Sequence, residues 1–299
     1  MNQINMKFAV VANPNKFEVK KVLKETIDWA GENSVSLLIS EETCKLTGFH
    51  NPDVIQKTNS DKQAIDECDL VIVIGGDGTI LYTARISSHS SKPILGVNGG
   101  RLGFMTDTKF EDLKEALQKV KSGNYTIDKR HFLKAVDSTG NEYFALNEFL
   151  FARKDSTAMI NITAEYDGSL INTYWADGLI VASSTGSTAY NLSSGGPIVV
   201  PGSGVMLVTP INPHTLTTRP LVVRSDKPLK IRVEEQESDV SFSYDGVHYK
   251  VDTLPLEVEI IASDLAFNLI RLPGQDYFET LRNKLMWGKD SRRIRNEEL

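Results

Sequence analysis

Along the first hundred residues, short apolar runs alternate with stretches in which apolar residues recur at helical spacing. KFAVVA (7–12) is a run of the length and composition of a buried strand. Val19, Val22, Leu23, Ile27 and Ala30 then fall three or four apart, the signature of one helix face, before the strand-like SVSLLIS (34–40). LVIVIGG (70–76) is an almost unbroken β-branched run ending in glycines, which predicts a parallel strand covered on both faces. A helix from about Ile80 and another apolar strand, PILGVN (93–98), follow. This alternation predicts an α/β, doubly wound, Rossmann-like domain over 1–124.

The texture changes after the charged helical stretch FEDLKEALQKVKSG (110–123). From Tyr125 to Leu272 strand-like runs dominate, broken by Ser138-Thr139-Gly140, Asp167-Gly168, Ser225-Asp226 and Asp245-Gly246. Asp-Gly between alternating runs is a hairpin signal, so 125–273 is expected to form a β-rich domain. The tail 274–299 reads as helical and charged, with Arg292, Arg293 and Arg295 near its end. It is expected to pack back on the first domain or on a neighbouring subunit.

Composition narrows the function classes. The 299 residues are 40% hydrophobic and 24% charged with a net charge of −6, which argues against a nucleic-acid partner. Anionic substrates would then need local positive potential from Arg, Lys, backbone N–H groups or a metal ion. Cys44 and Cys68 have no spaced partners, so neither a disulfide framework nor a zinc site is expected. The N-terminus lacks the pattern of a secretory signal, and no window holds about 18 consecutive apolar residues. A cytoplasmic protein with no membrane partner is expected.

Four constellations carry candidate chemistry. Gly75-Gly76-Asp77-Gly78-Thr79 closes a predicted strand and opens a helix, where open α/β sheets bind ligands. Its glycines admit a phosphate and the helix supplies N–H donors. Asp77 suits a metal ligand or the base that takes a hydroxyl proton, or else simply caps the helix. GVNGGRLGFMTD (96–107) packs four glycines into eight residues and adds Arg101 and Phe104. It reads as a phosphate-and-base loop or as a plain interdomain loop. Asn147 and Glu148 interrupt a strand-like run, either to read an adenine or ribose edge or because the strand is a solvated edge. Trp175-Ala176-Asp177-Gly178 precedes LIVASS and then the hydroxyl-rich Thr185-Gly186-Ser187-Thr188-Ala189-Tyr190-Asn191-Leu192-Ser193-Ser194. That block suits a polar ligand, with Tyr190 available for stacking, or is a flexible loop. GxxxxGK[ST], GxGxxG, GxSxG and HExxH are all absent.

GGDGT, GVNGGRLGFMTD, LNE, ADGLIVASSTGSTAYNLSSGGPIV and TPINPHTLTTRPLVV together resemble the five signature blocks of the NAD kinase family, in family order over residues 75–223. The resemblance implies an α/β nucleotide domain followed by a β-sandwich domain, with NAD in the cleft between them. It implies phosphoryl transfer to the 2′-hydroxyl of NAD's adenosine ribose, with ATP as donor and a divalent cation, magnesium, as cofactor. Asp77 would be the general base and would contact the ribose with Gly78. Asn147, Glu148 and Asp177 would hold the adenosine, with Trp175 and Asn212 adding contacts and Phe104 near the base or nicotinamide. Thr188, Ala189, Tyr190, Asn191, Leu192 and Ser193 would line the NAD site, partly across a subunit interface. The implied assembly is a homodimer or homotetramer, with Leu281, Leu285, Met286 and Trp287 as a further contact. The chain departs from many relatives in having Trp175 where they carry a cation, Val247 where they carry a polar residue, and Ala158 where some carry histidine. Two other readings share part of this pattern. One is a lipid kinase of the diacylglycerol or sphingosine type, which resembles it at GGDGT. The other is a non-catalytic NAD(H)- or NADP(H)-binding sensor.

Overall fold

The computed structural model describes residues 6–13, 17–100, 103–154, 158–234, 239–251 and 253–287. The chain forms two compact units, one of them Lys129–Phe267 and the other built from the segments before and after it.

The first unit runs β1 (Lys7–Ala12), α1 (Phe17–Glu32), β2 (Ser36–Ser40), α2 (Glu41–Thr47), β3 (Ile55–Thr58), α3 (Asp61–Glu67), β4 (Leu70–Gly75), α4 (Asp77–Ile86), β5 (Pro93–Asn98) and α5 (Leu113–Lys121). Its strands are parallel in the order β3-β2-β1-β4-β5, with Val10 opposite Ile72 and Ile72 opposite Leu95. The order reverses between β1 and β4, which makes their carboxyl ends the topological switch point. All six residues of β4 are buried, as its unbroken apolar sequence requires of a strand with helices on both faces. One face carries Val10, Leu37, Ile39, Ile72 and Ile74 against Val19, Val22, Leu23 and Leu117 of α1 and α5. The expected helix over 110–123 is a 3₁₀ turn at Phe110–Asp112 followed by α5.

The second unit is entered through β6 (Thr126–Asp137) and continues as β7 (Glu142–Ala145), β8 (Glu148–Lys154), β9 (Ile160–Tyr166), β10 (Ser169–Ala176), β11 (Gly178–Ser183), α6 (Tyr190–Ser193), β12 (Val205–Ile211), β13 (Leu221–Arg224), β14 (Leu229–Glu234), β15 (Asp239–Tyr244), β16 (Val247–Tyr249) and β17 (Leu256–Arg271). One antiparallel sheet has the order β13-β12-β11-β8-β15-β16. A second set of strands, β10-β9-β14-β17 with β6 and β7, supplies the opposing layer. Alternate residues of both, among them Phe149, Phe151, Val181, Ile160, Ile162, Leu229, Ile231 and Phe242, share one core, so the unit is a β-sandwich. The last residues of β17 return to the first unit, where Asn268 and Leu269 lie beside Pro93 and Ile94 of β5.

α7 (Tyr277–Leu285) follows, capped by Asp276 through the N–H groups of Phe278 and Glu279. Leu281, expected to meet a neighbouring subunit, is instead 3% exposed within its own chain. Its place on the helix's inward face gives it core packing. Phe278, Met286 and Trp287 remain exposed. Arg292, Arg293 and Arg295 lie outside the described residues.

Candidate active site

In the first unit the site is built on β4. Its apolar sequence carries the chain through the sheet, and Gly76 at its end is the N-cap of α4 with no side-chain cap. Asp77 is therefore the first helical residue, but its carboxylate does not cap the helix. It turns to the second glycine loop, where Oδ2 accepts the Phe104 N–H at 2.9 Å and Oδ1 accepts the Met105 N–H at 3.0 Å. Each oxygen keeps a second lone pair, so the group is fixed in orientation and still able to accept a proton. Gly103 permits the approach, since a Cβ there would lie 2.2 Å from Asp77 Oδ1 and 2.3 Å from Thr106 Oγ1. The two glycine loops also meet directly, the Gly99 N–H donating to the Gly75 carbonyl at 2.9 Å. Gly78 is exposed beside Asp77. Arg101 lies outside the described residues.

Two groups that hold this loop were not legible in sequence. Arg271 Nη1 pairs with Asp107 Oδ2 at 2.5 Å, and Gln275 Nε2 donates to Asp107 Oδ1 at 3.1 Å. They fix the segment whose N–H groups hold Asp77. Lys284 of α7 places its ammonium 5.4 Å from the centre of the Phe104 ring, a cation–π contact that brings positive charge to an acidic chain's glycine loops.

In the second unit Glu148 opens β8 and Asn147 immediately precedes it, and β8 is flanked by β11 and β15. The solvated-edge alternative is therefore excluded. Asn147 is 7% exposed, and Glu148 Oε2 is out of solvent with no hydrogen-bond partner. Burial, followed by the charge of Asp245, raises the Glu148 carboxyl to about 7, against a backbone hydrogen bond from Tyr190 that lowers it. Asp245-Gly246 is the hairpin turn between β15 and β16, at φ 45° and 78°. It is also more than a turn. The Asp245 carboxylate accepts the N–H groups of Leu146, Asn147 and Glu148 at 2.7, 2.8 and 3.1 Å. This clamp was missed because its two halves are about a hundred residues apart. Gly186 packs against it, since a Cβ there would sit 2.2 Å from the Asn147 carbonyl oxygen.

Because the folded Glu148 value lies above the ordinary 4.5, the fold favours the neutral carboxyl. The stability this contributes is complete below about pH 4.5 and is lost as pH rises through about 7. Glu148→Gln is expected to flatten that stretch of the melting-temperature profile. A variant profile parallel to that of the unmodified chain contradicts the assignment.

Asp177 stands at the opposite end of β11, just before Gly178 pairs with Ala152, whereas Glu148 pairs with Ala182, so one chain does not bring Asp177 together with Asn147 and Glu148. Arg153 Nε pairs with Asp177 Oδ1 at 2.7 Å and Asn212 Nδ2 donates to Asp177 Oδ2 at 3.0 Å, so Asp177 and Asn212 are brought together. Trp175 is 52% exposed and its ring lies 4.8 Å from that of His214, tilted by 35°. The two rings form an aromatic pair beside the Asp177–Asn212 bond.

The hydroxyl-rich block is ordered rather than a flexible loop: a 3₁₀ turn at Gly186–Thr188 leads into α6. Thr188, Ala189 and Leu192 are half-buried, while Tyr190 and Ser193 are exposed. Asn191 corrects the expectation of a ligand contact completed across subunits. Its side chain is 0% exposed within its own unit. Its amide donates to the Ser187 and Pro197 carbonyls at 3.0 and 3.1 Å and accepts the Thr209 hydroxyl at 2.7 Å. Asn191→Ala should leave these buried partners unpaired and cost about 2–4 kcal/mol, visible in urea unfolding. A change below about 0.5 kcal/mol would contradict the scaffold role.

The model of the ATP-NAD kinase N-terminal domain matches residues 8–125 and that of the ATP-NAD kinase C-terminal domain residues 146–272. An NAD kinase of Flavobacterium johnsoniae is 36% identical over 296 residues, covering 96% of this chain and 100% of the relative. Among solved structures, a yeast NADH kinase complexed with NADH superposes with a TM-score of 0.87 at 24% identity, covering 96% of this chain and 89% of that one. An NAD kinase from Archaeoglobus fulgidus in complex with ATP gives 0.75 at 23% identity, covering 94% and 99%.

Proposed function

The chain belongs to the ATP-NAD kinase family, and from that premise we propose how its residues divide the phosphorylation of NAD. The enzyme is a phosphotransferase with an alcohol acceptor, and its substrates are NAD and ATP. The observation that carries the assignment of roles is the Asp77 carboxylate, held by two backbone N–H groups at the carboxyl end of β4.

In this reading the 2′-hydroxyl of the adenosine ribose gives its proton to Asp77 as its oxygen bonds to the γ-phosphorus. The bond from that phosphorus to the β,γ-bridging oxygen breaks and ADP leaves. Such transfer depends on positioning and charge neutralisation more than on covalent chemistry. A placed base contributes roughly 10²–10⁴-fold. Gly78 lets the ribose approach. Asn147 and Glu148 hold the adenosine, while Asp177, bonded to Asn212 at the opposite end of β11, would contribute from a neighbouring subunit. Trp175 stacks rather than pairs, and Thr188, Ala189, Tyr190, Leu192 and Ser193 line the NAD site, with Asn191 as their scaffold. Among the described residues no three His, Cys, Asp or Glu side chains converge on a metal position. A magnesium ion would therefore arrive with the triphosphate and keep several waters.

Both cysteines are buried thiols, and among the described residues no helix is long and apolar enough to cross a membrane. Both fit a cytoplasmic location. A homodimer or homotetramer is supported by the exposed Phe278, Met286 and Trp287. Activity per chain is then expected to fall on dilution below the association constant. Sedimentation showing a fully active monomer overturns that part.

Incubation with NAD and magnesium ATP, coupled to an NADP-specific dehydrogenase, tests the reading. NADP formation without phosphorylation of diacylglycerol or sphingosine is expected. Lipid phosphorylation, or NADP binding without turnover, contradicts it.

A further inference from the structure

At the switch point between β1 and β4, beside the GGDGT helix, lies a cavity of about 270 Å³ lined by Asn13, Glu42, Leu46, Asp61, Gly78 and Tyr82 among others. Complete ligand pockets span roughly 300–1,000 Å³, so this one suits part of a ligand. Its charged lining residues are Glu42 and Asp61, with no lysine or arginine among the described residues that line it. A triphosphate would be repelled here, and a neutral group bearing N–H or O–H donors would be welcomed.

Asp61 is the informative residue. It opens α3, and its Oδ2 accepts the Tyr82 hydroxyl at 3.2 Å. Its Oδ1 is out of solvent with no hydrogen-bond partner, and an acceptor left in that state costs free energy that a ligand's donor would recover. The surroundings suit a flat ring. Tyr82 is 39% and Leu46 50% exposed, and Ala12 is buried at the back. Gly78 and Tyr82 stand one turn apart on the same face of α4, which sets the tyrosine ring one helical turn from the glycine loop.

We propose that this cavity is the nucleobase subsite for the phosphoryl donor, and that Asp61 reads the exocyclic amine of adenine. The proposal rests on the phosphotransfer reading above and adds to it a specificity-determining residue. The amine of ATP meets Asp61 as donor to acceptor. The 6-oxo group of inosine triphosphate sets acceptor against acceptor and leaves the carboxylate unpaired. A site built to bond a substrate N–H rejects the analogue lacking it far more strongly than a purely apolar pocket does.

Calorimetry of magnesium ATP and magnesium ITP binding, without NAD, tests it directly. The unmodified chain is expected to bind ATP at least about tenfold more tightly than ITP. Asp61→Asn, whose amide can donate to the 6-oxo group, should weaken ATP, strengthen ITP and so remove most of that ratio. The KM for NAD should not move. Tyr82→Phe keeps the ring and the carboxylate and should keep the preference. If Asp61→Asn does not fold, Tyr82→Ala serves instead, and is expected to weaken both nucleotides equally. Equal affinity for ATP and ITP in the unmodified chain overturns the proposal, as does an Asp61→Asn loss that is the same for both. A greater loss of discrimination against 2′-deoxy-ATP than against ITP also overturns it, by placing Asp61 at the ribose. Clear ATP preference with no NADP formed would instead defeat the phosphotransfer reading while leaving the subsite intact.

Discussion

Asp77→Asn is expected to lower kcat by at least roughly 10²-fold while NAD affinity changes much less. The substitution removes basicity at the one carboxylate that stands at the end of β4, and the cradle adds a second consequence. Both carboxylate oxygens accept backbone N–H groups, from Phe104 and Met105, whereas an amide offers one acceptor and turns its NH₂ toward the other donor. One backbone N–H is then left unpaired, at a cost of about 1–3 kcal/mol. A modest fall in melting temperature should accompany the kinetic loss. Steady-state kinetics, NAD calorimetry and a thermal melt on the same preparation separate the two. Near-normal kcat would remove Asp77 from the role of base.

Glu148→Ala carries the second large effect. Its NAD affinity should weaken by about 1–3 kcal/mol, a loss of roughly 5–150-fold in Kd. The unpartnered Oε2 and the raised carboxyl value both describe a buried carboxyl that the fold pairs only in part, through the Tyr190 N–H. Removing it should leave stability near neutral pH unchanged or slightly higher, because the burial of a charge is relieved. Unchanged NAD affinity with a large drop in melting temperature would make Glu148 structural and return the binding role to its neighbours.

The α/β unit was readable wherever burial was continuous. KFAVVA, SLLIS, LVIVIG and PILGVN are strands because parallel strands buried on both faces leave unbroken apolar runs. The segment between Ser40 and Leu70 gave no such signal. α2 and α3 are seven residues each, too short for a periodic pattern, and they are marked chiefly by Ser40 and Ser60 as N-caps. α4 begins at Asp77 rather than near Ile80, since its first turn is the glycine motif itself and carries no apolar face.

The same contrast governs the site. Asp77, Asn147, Glu148 and Asp177 stand out because polar residues interrupt apolar strands or end them. The groups that hold them do not. Asp245 reaches Leu146–Glu148, and Arg271 and Gln275 reach Asp107, across distances that local pattern cannot span. Asn191 departs from its sequence expectation for the opposite reason. Within a hydroxyl-rich block, a buried scaffold amide and a ligand-facing one have the same sequence appearance, and only the bonds to Ser187, Pro197 and Thr209 distinguish them.

Where the phosphate lands on NAD is the measurement that bears most directly on the central claim. Phosphorus–proton correlation NMR of the product formed from NAD and ATP should place the new phosphate on C2′ of the adenosine ribose. A phosphate on any other hydroxyl, or no phosphorylated dinucleotide at all, would contradict the account.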